Sequence, residues 1–526
     1  MNHLLKLCLF ATGCAGIVAE FVLCTLASYF LGNATLQWTL LMSLMLFAMG
    51  LGSRLSRSFS TNLLDTFTLL EFSLSVLCAS AAVASYAVSP FFNNVGFVIY
   101  PLAAVIGLLI GMEIPLITRV NADYEELRVN ISSVLEKDYY GALAGGLIFA
   151  FVALPYLGLT YTPIALGTVN FAVASVFVVR FRSLLARPRL MSGLWAGVSL
   201  GLVGLVVGAQ PIVLFGEQTL YKDTVVLVKQ TPYQRLVLTR WRQDYWLYIN
   251  GNQQFSSYDE ERYHEPLVHP ALSLVGNRWT MPRTAPDRDW RSPGGQEVLI
   301  LGGGDGLAAR EVLKHPGVTH LTLVDLDPAM TELASSHPIL IQLNDNALHD
   351  PRVEIVHADA FAFLRTTDRL FDVIIVDLPD PNSVALARLY SLNFYRLCKK
   401  QLKRGGAVVT QATSPFFTRR AFVCIDKTLG AAGLSTLAYH THIPTMGEWG
   451  FVLGVDASLL DDKALKETVT GLSFDGIETR FLNREAMLSM AYFGKGMFDD
   501  REQIAVNEES RPILYEYYRR GRWEVY

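Results

Sequence analysis

Charge is scarce in this 526-residue chain: Asp, Glu, Lys and Arg make up only 17% of it, while hydrophobic residues reach 51%. Such a chain is too apolar for an ordinary soluble enzyme and too charged to lie wholly in lipid, so the two characters should be segregated along it. An excess of positive charge is also missing, the formal net charge being −4, and nucleic acid is set aside as a partner. Cysteine is sparse as well. Cys8, Cys14, Cys24 and Cys78 lie in apolar segments, and Cys398 and Cys424 stand apart without C-x-x-C spacing, which points to neither a disulfide framework nor a metal site. No internal repeat is visible, so a transporter built from duplicated halves has little support.

What is present divides into two halves. Leu4 to Phe215 is almost uniformly apolar, with candidate spans near 7–30, 36–53, 67–89, 95–118, 139–157, 161–181 and 193–215, so residues 1–215 read as a transmembrane helical bundle of about seven spans. The first span carries Glu20 and is followed by others, which favours a retained helix over a signal peptide. Arg54 and Arg57, then Arg119, Arg128 and Lys137, then Arg180, Arg182, Arg187 and Arg189 occupy alternate loops, and this asymmetry assigns those loops to the cytoplasm of a cell-membrane protein. A seventh crossing would then export the soluble half, whereas supply of a cytosolic substrate favours a cytosolic active site; the side is left open. Glu20 and Glu113 are either functional carboxyls or protonated, hydrogen-bonded ones. Gly141, Gly145 and Gly146 read as close helix packing.

The second half begins with strand-like text from Thr224 to Leu247 and the hairpin signal Asn250-Gly251, which define a small β-domain over 217–273. A Pro- and Arg-bearing stretch at about 278–295 reads as an exposed connection. Over 296–460 the pattern is α/β and Rossmann-like. EVLIL runs into Gly302-Gly303-Gly304-Asp305-Gly306, a helix-like LAAREVLK follows, and LTLVD ends in Asp325, about 20 residues past the glycines. VEIVH precedes Asp359, DVIIVD ends in Asp377, and AVVTQ ends at Gln411. Acids at the ends of successive parallel strands gather where open α/β sheets bind ligands. A single such acid is more often a helix cap. Residues 461–526 read as a helical, partly aromatic extension with no assigned chemistry.

The acids narrow the ligand. A site for intact adenosylmethionine must hold a zwitterionic amino acid tail beside the glycine loop, and Asp305 there would repel the tail carboxylate. Asp305 suits the bare ammonium of decarboxylated adenosylmethionine instead. Asp377 and Asp380, in DLPDP, offer paired carboxylates for a dication such as putrescine. An amine with a pKa of about 10 must lose a proton before it attacks carbon, and a desolvated carboxylate can take that proton.

With these motifs in hand, the soluble half resembles the spermidine synthase family, in a membrane-attached form with an N-terminal multi-pass bundle. Tyr233-Gln234, INGNQQFSSYDEERYHE, GGGDG, VDLD, HADA, DLPDP and HIPTMGEWGF occur in the family's order. The resemblance implies that Gln234, Asp325, Asp359 and Ala360 contact the thioadenosine portion of the donor, beside Gly302 and Gly304, which let the backbone approach a nucleoside closely. It implies that His264 and Asp305 contact the polyamine portion and that Asp377 accepts the proton. Tyr263, Gln254, Asp380, Gln411 and Tyr439 are secondary candidates, the two tyrosines having the alternative of being half-buried packing groups. Family members commonly have Asp-Ser-Ser/Thr-Asp-Pro and then a Gly-Pro-Ala lid, where this chain reads DLPDPNSVALARLYS.

The implied activity is aminopropyl transfer from decarboxylated adenosylmethionine to a diamine. The donor is then a co-substrate rather than a permanently bound cofactor, the partners are a diamine and a lipid bilayer, and homo-oligomerisation is left open. Two other readings are methyl transfer from intact adenosylmethionine and a polyamine transporter or sensor with a nucleoside-binding domain.

Overall fold

The computed structural model describes residues 2–32, 34–92, 94–121, 127–276 and 295–522. It divides the chain into two compact units, Met1–Pro232 with Thr239–Trp241, and Tyr233–Leu238 with Arg242–Tyr526. Of the connection expected at 278–295, only Gly295 lies within the described residues.

The first unit is a set of helices: α1 (Asn2–Leu31), α2 (Ala34–Leu55), α3 (Leu63–Val88), α4 (Gly96–Asn121), α5 (Leu127–Ile148), α6 (Gly158–Arg180) and α7 (Pro188–Leu220). Among the described residues, six helical stretches are long and apolar enough to cross a membrane, and the fifth, Val129–Arg180, takes in both α5 and α6. That stretch is not straight. Thr162 Oγ1 donates to the Ala153 carbonyl at 3.0 Å across nine residues, which a straight α-helix would separate by about 13.5 Å. The bend falls at a π-helical segment, Phe149–Leu157, and at Gly158 with φ +63°. Close packing accounts for two of the three glycines of α5. A Cβ on Gly141 would lie 2.1 Å from the Phe10 carbonyl and one on Gly145 2.5 Å from that of Cys14, whereas one on Gly146 would meet Phe21 at an ordinary 3.6 Å. Glu20 and Glu113 are buried, and so is Glu71 on α3, whose carboxylate the sequence pattern did not single out.

Four strands follow, β1 (Thr224–Gln230), β2 (Arg235–Trp241), β3 (Asp244–Ile249) and β4 (Asn252–Ser256). In the second unit β3 and β4 pair antiparallel. Asn250 and Gly251 turn between them with φ +51° and +81°, the left-handed pair that a two-residue hairpin requires. Helix α8 (Glu261–Gly276) comes next and packs on the main sheet and on α9 (Leu307–Leu313).

The main sheet contains β5 (Gln296–Gly302), β6 (Val318–Asp325), β7 (Val353–His357), β8 (Phe371–Asp377), β9 (Leu402–Gln411), β10 (Leu434–Ile443) and β11 (Gly447–Asp456). Its seven strands run in the order β10-β11-β9-β8-β5-β6-β7. The pairs from β9 to β7 are parallel, and β10 and β11 form an antiparallel edge. Val298, Leu299, Ile300 and Leu301 are fully buried, as are Val373, Ile374, Ile375 and Val376. Such continuous aliphatic runs mark strands covered on both faces, each side chain stabilising the fold by about 1.5–3 kcal/mol. The chain leaves β5 toward β6 on one side and later places β8 on the other. The carboxyl edge between β5 and β8 is therefore a topological switch point, where sheets of this kind hold ligands. Beyond the sheet come the short helices Asp462–Thr470, Arg484–Met490 and Ile513–Arg519.

Candidate active site

Register sets the site. Gly302 pairs with Asp377 across β5 and β8, and Asp325 pairs with His357 across β6 and β7, so the strand-end residues are level along one edge. The glycine loop is forced by this crowding. Gly302 has φ +85°, and a Cβ there would lie 2.1 Å from the Asp377 carbonyl; Gly303 N–H donates to that same carbonyl at 3.1 Å. A Cβ on Gly304 would lie 2.5 Å from Asp325 Oδ2. The Asp325 carboxylate accepts from Gly304 N–H at 3.1 Å and Asp327 N–H at 2.8 Å. Burial nevertheless raises Asp325 to about 6, against those two bonds.

Helix α8 delivers the next pair. Tyr263 donates its hydroxyl to Asp377 Oδ1 at 2.7 Å, and its ring meets Phe451 edge-on at 5.5 Å. Burial and the nearby anions Asp377 and Asp380 hold the Tyr263 phenol well above its usual range, so it stays a donor. Burial also raises Asp377, opposed by His264 and by the Tyr263 bond. His264 gives Nδ1 to the Glu260 carboxylate at 2.8 Å, leaving Nε2 as its other ring nitrogen. Burial works against an imidazolium here, but the carboxylates of Glu260, Asp305 and Asp377 prevail and lift His264 to about 9. Arg310 Nη2 donates to the same Glu260 carboxylate at 2.8 Å. Asp305 accepts from Leu307 N–H at 2.9 Å; burial and the charge of Asp377 raise it to about 6, opposed by His264. The outcome is a small region in which three carboxylates face one imidazolium, with a negative excess suited to a cation.

Asp380 closes this region. It accepts from the Gln411 amide at 3.2 Å and from the Thr413 hydroxyl at 3.1 Å, while burial raises it to about 6 against those bonds. Gln411 also donates to the Leu378 carbonyl at 2.8 Å. Toward β7, Asp359 caps the helix Ala360–Thr366 by accepting from Ala362 N–H at 2.9 Å, and Arg388 reaches its other oxygen at 2.7 Å.

Gln234 is half-buried just before β2. Gln254 is half-buried and donates to the Asn252 carbonyl within its own hairpin at 3.1 Å. Tyr439 is fully buried, stacks on Phe451 and spends its hydroxyl on the Pro266 carbonyl at 2.8 Å, so it backs Tyr263 through a ring rather than through its oxygen.

Sequence reasoning passed over Glu260, Arg310, Thr413 and Arg388. Only Glu260 left a local signal, an acid four residues before His264 at the start of a helix, where the two side chains share a face.

Residues 260–462 match the Spermine/spermidine synthase domain family. The chain is 42% identical to Polyamine aminopropyltransferase 2 of Aquifex aeolicus over 517 residues, 98% of each chain. It is 40% identical to Polyamine aminopropyltransferase 2 of Ralstonia nicotianae over 532 residues, again 98% of each. A solved structure, the spermidine synthase from Thermotoga maritima, shares 25% identity over 53% of this chain and 88% of its own, with a TM-score of 0.43.

Proposed function

From the premise that this chain belongs to the polyamine aminopropyltransferase family and carries its spermine/spermidine synthase domain, we propose how its residues perform the reaction. The enzyme transfers the aminopropyl group of decarboxylated adenosylmethionine to putrescine or a similar diamine, giving spermidine and methylthioadenosine. The sulfonium already activates the carbon to be attacked, so the protein supplies orientation, electrostatics and proton removal. The amine nitrogen forms its bond to that carbon, the carbon–sulfur bond breaks with its electron pair going to sulfur, and methylthioadenosine leaves neutral.

Asp377 is the proton acceptor. The observation that carries this is its buried carboxylate, oriented at 2.7 Å by Tyr263 and flanked by the acids of the pocket. Tyr263 fixes one oxygen and leaves the other for the attacking amine. Asp305 takes the ammonium of the donor, and Asp380 takes the far ammonium of the acceptor. Asp325 receives the ribose hydroxyls, Asp359 and the backbone of Ala360 read the adenine, and Gln234 covers the thioadenosine; Gly302 and Gly304 let the nucleoside approach the backbone. His264 meets the acceptor through Nε2. Gln254 and Tyr439 support the walls. The six apolar stretches are read as a multi-pass membrane anchor, with the active site on the cytosolic side from which the donor comes.

The test is methylthioadenosine release by detergent-purified full-length protein given putrescine with either decarboxylated or intact adenosylmethionine, the amine product being identified by mass. Spermidine formed only with the decarboxylated donor is expected. Product methylation with the intact donor, or no product with any diamine, overturns the reading.

A further inference from the structure

Helices α2 and α4 run parallel and end together. A Cβ on Gly107 would lie 3.0 Å from the Met45 carbonyl and one on Gly111 2.0 Å from that of Met49, and further along Arg119 Nη2 donates to the Ser56 carbonyl at 2.7 Å. Arg119 stands about 35 Å of helix beyond Gly96, and Leu55 about 32 Å beyond Ala34. A hydrocarbon core is about 30 Å thick, so Arg57 and Arg119 fall together at the headgroup level of one membrane face. A cavity of about 450 Å³ opens there between α2, α4 and α5. Its outer part is cationic. Arg119 donates to the carbonyls of Pro115 at 3.1 Å, Phe59 at 2.8 Å and Ser56 at 2.7 Å, which fixes the guanidinium and leaves about two of its N–H groups over. Arg57 is exposed, and among the described residues it makes no hydrogen bond or ion pair. The hydroxyls of Ser56 and Thr118 are spent on the carbonyls of Ser53 and Ile114 at 2.8 and 2.7 Å. None of the lining residues is acidic. The inner part is apolar: Ile114 and Pro115 lie about 6–7.5 Å closer to the core than Arg119, and Ile131 and Leu135 line the cavity from α5.

We infer that this cavity binds an anionic phospholipid, its phosphate between Arg57 and Arg119 and the start of an acyl chain against Ile114 and Ile131. The inference rests on the reading of the apolar helices as membrane-spanning. Two guanidinium groups without an acid beside them call for an anion, and their planar donor forks match phosphate oxygens. The depth of the cavity narrows the choice further. A free phosphate would use the arginines and leave the aliphatic wall beneath them in water, whereas a phospholipid joins an anion to a chain that covers that wall. The volume is that of a small-molecule site rather than a surface crease.

The experiment titrates detergent-purified full-length protein with phosphatidylglycerol and with phosphatidylcholine and counts bound lipid by native mass spectrometry. About one phosphatidylglycerol should be retained, on the order of tenfold more tightly than phosphatidylcholine. Arg57→Gln removes one charge-assisted contact and should weaken phosphatidylglycerol on the order of tenfold. Arg54→Gln, at the same helix end but outside the cavity, should leave its affinity within about twofold. Equal loss in the two variants would show a diffuse basic surface and overturn the site, as would equal affinity for the two lipids or an unchanged Arg57→Gln. Displacement of bound phosphatidylglycerol by millimolar inorganic phosphate would show a free-anion site and overturn the lipid assignment. An alkaline wash of membranes carrying the protein separates the inference from the reading beneath it. A chain released by the wash does not span the membrane, and both fall; a chain retained in the membrane but without preference for phosphatidylglycerol refutes the site alone.

Discussion

Replacing Asp377 by Asn is the most direct probe of the chemistry. The change is isosteric and leaves the local structure its supports. The Asp377 backbone carbonyl still accepts from Gly303 N–H at 3.1 Å, and the side-chain carbonyl of Asn can still accept the Tyr263 hydroxyl, now 2.7 Å from Oδ1. What disappears is the capacity to take a proton. A positioned general base contributes about 10²–10⁴ in rate, or roughly 2.7–5.4 kcal/mol at 1.36 kcal/mol per decade. The expected kcat is lower by that factor. Methylthioadenosine is neutral and its proposed contacts lie on other residues, so its Kd should stay within about threefold by calorimetry. Burial raises the pKa of Asp377, meaning that its charged form is disfavoured in the folded protein, so the variant should melt no lower than wild type at pH 7.5. Turnover within threefold of wild type would show that the proton leaves by another route, and the assignment of Asp377 would be withdrawn.

Three further outcomes follow from the same geometry. Asp305→Asn removes the anion proposed to face the donor ammonium, and the KM for the decarboxylated donor should rise at least tenfold, the size of one lost charge-assisted bond. The folded-state pKa of Asp305 is raised from 3.8 to about 6, so its stabilising share is complete below about 3.8 and is lost as pH rises through about 6; thermal melts should therefore show Asp305→Asn gaining Tm at pH 7.5 and losing that gain by pH 4. The pH profile of wild-type kcat/KM for putrescine should climb through about 6, where Asp305 and Asp380 ionise, and again near 9, where His264 loses the charge that competes with a diammonium; a profile flat between pH 5 and 7 would contradict the anionic pocket. Glu260→Gln breaks a buried ion pair with Arg310 and His264, a loss of about 3–5 kcal/mol that melting would register, and the limb near 9 should move toward 6.5 because Glu260 is the largest influence holding His264 up; an unmoved limb would separate it from His264.

The legible part of this protein was what local periodicity writes. Glycines bracketing Asp305, acids closing strands at Asp325 and Asp377, and Asn250-Gly251 between two strand-like runs can each be recognised within ten or so residues, because strand burial and left-handed turns constrain neighbours along the chain. The helical half was legible for the same reason, since a long apolar run needs no partner to be noticed. Even there the break of Val129–Arg180 at Gly158 surfaced only as two apolar runs, while the Thr162 contact with Ala153 that makes the bend belongs to the structure. Gly146 looked like its neighbours Gly141 and Gly145 in the sequence and differs from them only in what lies opposite.

By itself, then, the sequence determined the order of the halves, the glycine loop and the acids at the strand ends. The tertiary structure alone decided what state those acids are in and what surrounds them. Gln411 and Thr413 reach Asp380 from 31 and 33 residues away. Glu260 is the shared counter-ion of His264 and of Arg310, 50 residues on. A carboxylate's charge depends on its desolvation and on the donors within about 3 Å, and those are set by which strands and helices converge in space, a property that no short stretch of sequence carries.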